Sequence, residues 1–134
     1  MQNLKSIGLA SENQNLGFVK GRVRGGIIAM KGAFKFVTTE HSGMVQALLA
    51  ILLLVAGFYY KISPTEWMFS VLVLAFVLAT EALNTAIEKL CDFVHDKHHE
   101  QIGFVKDVAA GAVWFAAMAA LTVELIIFWP KIFG

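Results

Sequence analysis

Charge is what this sequence has least of. Charged residues make up 16% of its 134, against roughly 25% in an ordinary soluble domain, while hydrophobic residues reach 57%. A soluble domain of this size has a large surface to cover and normally uses more charge to cover it. The single cysteine, Cys91, excludes a secreted disulfide scaffold. A formal net charge of +1 excludes a nucleic-acid binder with an overall basic field. The apolar content excludes a disordered chain. There is no internal repeat and no low-complexity tract. What remains is a small integral membrane protein.

The near-zero net charge conceals a division. Residues 1–40 carry six bases against two acids, and residues 41–134 carry five bases against eight acids. Three stretches are free or almost free of charge: Met44–Tyr60, Trp67–Thr80 and Val108–Trp129, the last interrupted only by Glu124. A membrane span needs about 20 mainly apolar residues. The middle run reaches that length because Ala82, Leu83, Ala86 and Ile87 continue a helical apolar pattern past Glu81. Pro64 marks the break in the link Lys61–Glu66, and Tyr59, Tyr60, Trp67 and Trp129 stand near run ends, as interfacial aromatics do.

The expected plan is therefore a single all-α membrane-embedded domain over residues 1–134. It has a polar tail at 1–20, an amphipathic surface helix at 22–40, and membrane helices at about 43–60, 66–90 and 107–129. In the surface helix Val23, Ile27, Met30, Phe34 and Val37 recur at helical spacing, with Arg24, Lys31 and Lys35 on a neighbouring arc. Such a helix lies on the cytoplasmic leaflet, or serves only to anchor the first span. Lys61 and Lys131 fall on one side of the membrane and the other nine bases on the opposite side, which places the N-terminus in the cytoplasm of a multi-pass inner-membrane protein. Residues 1–20 lack the continuous apolar core of a signal peptide.

The segment Thr80–Asp107 carries the chemistry. At 100° per residue, Glu81, Asn84, Glu88 and Asp92 project within an arc of about 80°. A carboxylate at a span centre costs about 2.5–3.5 kcal/mol on insertion scales, and less toward the interface. A bridging hard cation, Mg²⁺ above all, removes both that cost and the mutual repulsion of the acids. The competing reading is a solvated helix face beyond the bilayer, which suits Asp92 better than Glu81. Lys106-Asp107 returns to the same interface, where the lysine meets an anionic ligand or snorkels. His95, His98 and His99 read as a polar loop rather than a zinc site.

The string EALNTAIEKLCD, followed by HHE and KDVAAGAV, resembles the small prokaryotic diacylglycerol kinase family, which includes undecaprenol kinases. KGAFKFVTTE (Lys31–Glu40) is similar to that family's surface-helix segment ending in Glu. The resemblance implies a homotrimer with sites at the cytoplasmic interface shared between subunits, and transfer of the γ-phosphoryl group of MgATP to a lipid hydroxyl. By motif it implies Glu81 as general base with Asn84 beside it, and Glu40 and Glu88 as Mg²⁺ ligands. Lys106 and Asp107, with Lys97, His98 and His99, would contact ATP. Two departures stand out. The family's N-terminal nucleotide-contacting Arg aligns at or beside Gly21, leaving Lys20, Arg22 or Arg24 to substitute, and Glu124 stands where relatives are usually apolar. The chain has neither G-x-x-x-x-G-K-[ST] nor G-x-G-x-x-G, so nucleotide binding uses neither loop.

The expected activity is thus phosphorylation of diacylglycerol to phosphatidic acid, with undecaprenol as the alternative acceptor. TTEHS and AAGAV are closer to the undecaprenol branch and the terminal W-x-x-x-F-G to the diacylglycerol branch. Outside the kinases stand a non-enzymatic membrane scaffold subunit and a channel or transporter lined by the acidic face.

Overall fold

The computed structural model of the chain describes residues 17–95, 97 and 99–134. The regular structure among them is helical: α1 (Phe18–Thr39), α2 (His41–Tyr59), α3 (Pro64–Val94) and α4 (Glu100–Phe133). The chain divides into two compact units between Lys35 and Phe36. In the first, no residue of α1 is buried, and the Arg22 guanidinium lies 5.2 Å from the Phe18 ring centroid. α2, α3 and α4 are each long and apolar enough to cross a membrane.

The helices run past the apolar stretches because they end at caps rather than where hydrophobicity ends. α3 opens on a capping box. The Glu66 N–H donates to Ser63 Oγ (3.3 Å), the Ser63 N–H donates to Glu66 Oε2 (2.6 Å), and Pro64 occupies the first turn. α4 starts at Glu100, where the Gln101 N–H donates to His99 Nδ1 at 3.3 Å. α2 closes on Lys61, which takes the left-handed conformation (φ 50°) usually filled by glycine, while the Ile62 N–H reaches back to the Gly57 carbonyl at 3.1 Å.

α1 and α2 meet at a one-residue corner. Glu40 is extended (φ −96°, ψ 132°), with its N–H on the Phe36 carbonyl at 3.1 Å and its own carbonyl accepting from Met44 at 2.9 Å. Gly43 is buried here, and a Cβ on it would stand 2.3 Å from the Phe36 carbonyl oxygen. Only a residue without a side chain lets the chain turn so closely. Gly57 does the same between α2 and α3, where an added Cβ would meet the Trp67 ring at 2.5 Å.

α3 and α4 form an antiparallel pair bridged at three polar rungs: Glu66–Lys131 (3.1 Å), Ser70–Glu124 (3.0 Å) and Asp92–Lys106. Between the rungs, sheltered positions alternate in steps of four and three. Among them are 70, 74, 77, 81, 84, 88 and 91 on α3, and 102, 106, 109, 113, 116, 120, 123 and 127 on α4. That spacing is the seam of a two-stranded helical pair. Near the Lys131 end the seam is hydrophobic: Ile62, Ile127 and Phe128 are buried together with Trp67 and Tyr60 against them, the Tyr60 and Phe128 rings edge to face at 5.9 Å. Toward the other end it turns polar.

The corner yields a test. Gly43→Ala is expected to lower stability by about 1–3 kcal/mol, as overpacking does. Gly25→Ala, at an exposed α1 position with nothing within 4 Å, is expected to be neutral or to stabilise by up to about 1 kcal/mol. Reversible unfolding in mixed detergent micelles measures both.

Candidate functional site

The register of α3 against α4 positions the acids. Counting between the rungs puts Glu81 level with Ala116, Asn84 with Val113 and Glu88 with Ala109. Ala116 is fully buried and Ala109 nearly so. Small side chains on α4 therefore let the two helices pack closely beside the polar positions of α3. All three polar residues are half-buried. They are spaced at three and four residues, so Glu81 and Glu88 lie about 10 Å apart along the helix axis.

Each carboxylate in this region except Glu81 has a partner. The Asn84 amide donates to Glu88 Oε1 at 2.9 Å. Glu40 comes to α3 from the α1–α2 corner and pairs with Lys89 at 3.2 Å. The Lys106 ammonium pairs with the Asp92 carboxylate across the α3–α4 connection. Ser42 and Thr85 share a hydrogen bond at 3.4 Å that ties the start of α2 to the same stretch of α3. Among the described residues Glu81 has no hydrogen bond and no ion pair. The Oδ1 of Asn84 is buried and unpartnered, an unusual state for a polar atom.

One helical turn further on, a cavity of about 220 Å³ opens beside Asp92, His95, Lys97, His99, Gly103 and Lys106. The His95 and His99 rings meet edge to face at 5.5 Å. His99 commits Nδ1 to capping α4, which leaves Nε2. Asp107 is exposed at the start of α4. His98 lies outside the described residues. The structure thus brings Glu40, Asn84 and Glu88 to one stretch of α3, and Lys97, His99 and Lys106 to one cavity wall.

The acceptors on this stretch of α3 are oxygen, the Glu88 carboxylate and the orphaned Asn84 Oδ1, and the Glu40 carboxylate reaches the same stretch through Lys89. Among the described residues no three His, Cys, Asp or Glu side chains converge as a closed metal cage. This donor set fits Mg²⁺, which keeps waters and takes one or two protein carboxylates plus substrate phosphates. The charge pattern marks Lys89 only as a base on the cytoplasmic side, and the solvated face expected at Asp92 agrees with its 65% exposed side chain. The Asp92 arc position was a usable signal; nothing in the periodicity pointed to Lys89.

A family model for prokaryotic diacylglycerol kinase matches residues 27–128, and so takes in all the sites above. The chain belongs to that family. It is a membrane-embedded lipid kinase, which removes the scaffold and transporter readings. The undecaprenol kinase of Bacillus subtilis (strain 168) is 38% identical over 104 residues, covering 78% of this chain and 85% of that protein.

The Asp92–Lys106 pair is more than half exposed on the acid side, where ion pairs contribute little. Asp92→Asn is expected to change the unfolding free energy by no more than about 1 kcal/mol, measured as above. A larger loss would make this rung a structural element of the α3–α4 pair.

Proposed function

We propose that the protein is an ATP-dependent undecaprenol kinase of the cytoplasmic membrane, with Glu81 as the general base. The composition of the motifs left diacylglycerol as the first expectation and undecaprenol as the alternative. The 38% identity to an undecaprenol kinase favours the alternative. The observation that carries the assignment of the base is the absence of any partner on Glu81, beside carboxylates that are all paired. An unpaired, half-buried carboxylate is free to take a proton.

In this reading the lipid hydroxyl gives its proton to Glu81 as its oxygen attacks the γ-phosphorus. The bond between that phosphorus and the β–γ bridging oxygen breaks, and ADP leaves. The Asn84 amide holds Glu88 in place one turn away. Glu40 and Glu88 would hold the Mg²⁺, which would supply charge neutralisation for the phosphates. Phosphoryl transfer asks mainly for positioning and such neutralisation. Lys97, His99 and Lys106 line the cavity that would receive the nucleotide, with His98 and Asp107 assigned to it by motif. By the family resemblance, one of Lys20, Arg22 and Arg24 would contact the nucleotide. The family resemblance supports a homotrimer with shared sites, α1 on the membrane surface, and Glu40, Glu81 and Glu88 at the cytoplasmic face. The distribution of bases supports the same orientation.

Purified protein with γ-labelled MgATP and undecaprenol, diacylglycerol or no lipid tests this. Label is expected in undecaprenol; label in diacylglycerol alone would overturn the acceptor, and label in neither would overturn the activity. Glu81→Gln is expected to lower turnover by about 10²–10⁴-fold, the usual contribution of a general base, while membrane insertion stays intact. Near-normal turnover would remove Glu81 from that role. Glu40→Ala and Glu88→Ala are each expected to raise the Mg²⁺ concentration needed for half-maximal rate. Unchanged metal dependence in both would rule out the shared metal site.

A further inference from the structure

Lys89 stands in an unexpected place. Its ammonium lies 3.2 Å from Glu40 Oε1, yet its side chain is 63% exposed while that of Glu40 is 28% exposed. It directly follows Glu88 in sequence. A cation in contact with the Glu40 carboxylate is therefore a flexible one, sitting where solvent reaches it and next in sequence to the second proposed metal ligand.

We propose that Lys89 is a stand-in cation: it neutralises Glu40 while the metal is absent and gives up the carboxylate when the metal arrives. This rests on the reading of Glu40 and Glu88 as Mg²⁺ ligands. A metal and an ammonium compete for the same carboxylate oxygen, so the pair lowers the affinity of the empty site for free metal. The competition is weak, because exposed ion pairs contribute only tenths of a kcal/mol and a lysine swings on a four-carbon stem. In exchange, Glu40 stays pinned to α3 across the α1–α2 corner, and its charge is not left uncompensated. Lys89 acts through Glu40 and touches no reacting group. It is a positioning residue.

Titration of the full-length protein in detergent with Mn²⁺, read by electron paramagnetic resonance of the free ion, tests this without turnover. Mn²⁺ shares the octahedral oxygen preference of Mg²⁺. Lys89→Met is expected to tighten Mn²⁺ binding by about 1.5- to 5-fold, the range of an exposed ion pair. Lys89→Arg is expected to weaken it, because a guanidinium grips a carboxylate through two hydrogen bonds. In a Glu40→Gln background the Lys89→Met effect is expected to vanish. Wild-type protein that binds no Mn²⁺ displaceable by Mg²⁺ would overturn both the metal site and the stand-in. Wild-type binding left unchanged or weakened by Lys89→Met would overturn the stand-in alone. A Lys89→Met effect that persists in the Glu40→Gln background would also overturn it.

Discussion

An ionised or amide side chain on a helix that crosses a membrane has no water to turn to, and the arrangement of α3 follows from that constraint. Its polar positions share the face that packs on α4, so lipid meets leucines and phenylalanines elsewhere on the helix. Where the seam carries Glu66, Ser70 and Asp92, α4 answers with Lys131, Glu124 and Lys106. Where it carries Glu81, Asn84 and Glu88, α4 offers alanine and valine, with no polar partner among the described residues. The same seam is thus cross-linked by polar pairs over part of its length and carries polar groups unanswered by α4 over the rest. Helix pairs in a membrane rely on small residues and hydrogen bonds for their association, and this pair uses both.

The other site residues depend on two backbone devices. The corner at Glu40 works because Gly43 has no side chain to strike the Phe36 carbonyl, and it brings a carboxylate from outside the α3–α4 pair to the edge of that pair. The α3–α4 connection brings Lys106 back beside Asp92 within a few residues of the His99 cap. Glu124 is a different case. One oxygen accepts from Ser70 and the other is buried without a partner, at the wall of an apolar cavity of about 290 Å³ between α2, α3 and α4. It follows the same rule of placing polarity on the seam, but incompletely.

Much of this was legible in the residues. Long charge-free runs fix spans because a backbone in hydrocarbon must satisfy itself as helix, and a three-and-four spacing of Glu81, Asn84 and Glu88 fixes a shared face whatever the neighbours are. The helix ends were less legible, since α3 and α4 run on to Ser63 and His99, and caps are hydrogen-bond features that hydrophobicity does not register. Lys89 was not legible at all. Its place in the site depends on a carboxylate nearly fifty residues away.

By itself, then, the sequence determined the membrane class, the number of spans, the polar face of α3 and the motif that carries the family. Each is a local property, set by period and composition within one helix. Only the tertiary structure decided which acids are paired and which is free. It joined Glu40 to Lys89 and Asp92 to Lys106, and among the described residues it brought no partner to Glu81. The difference is physical. A helix fixes the direction of its own side chains, whereas the partner of a charge is fixed by how two helices and one corner come together.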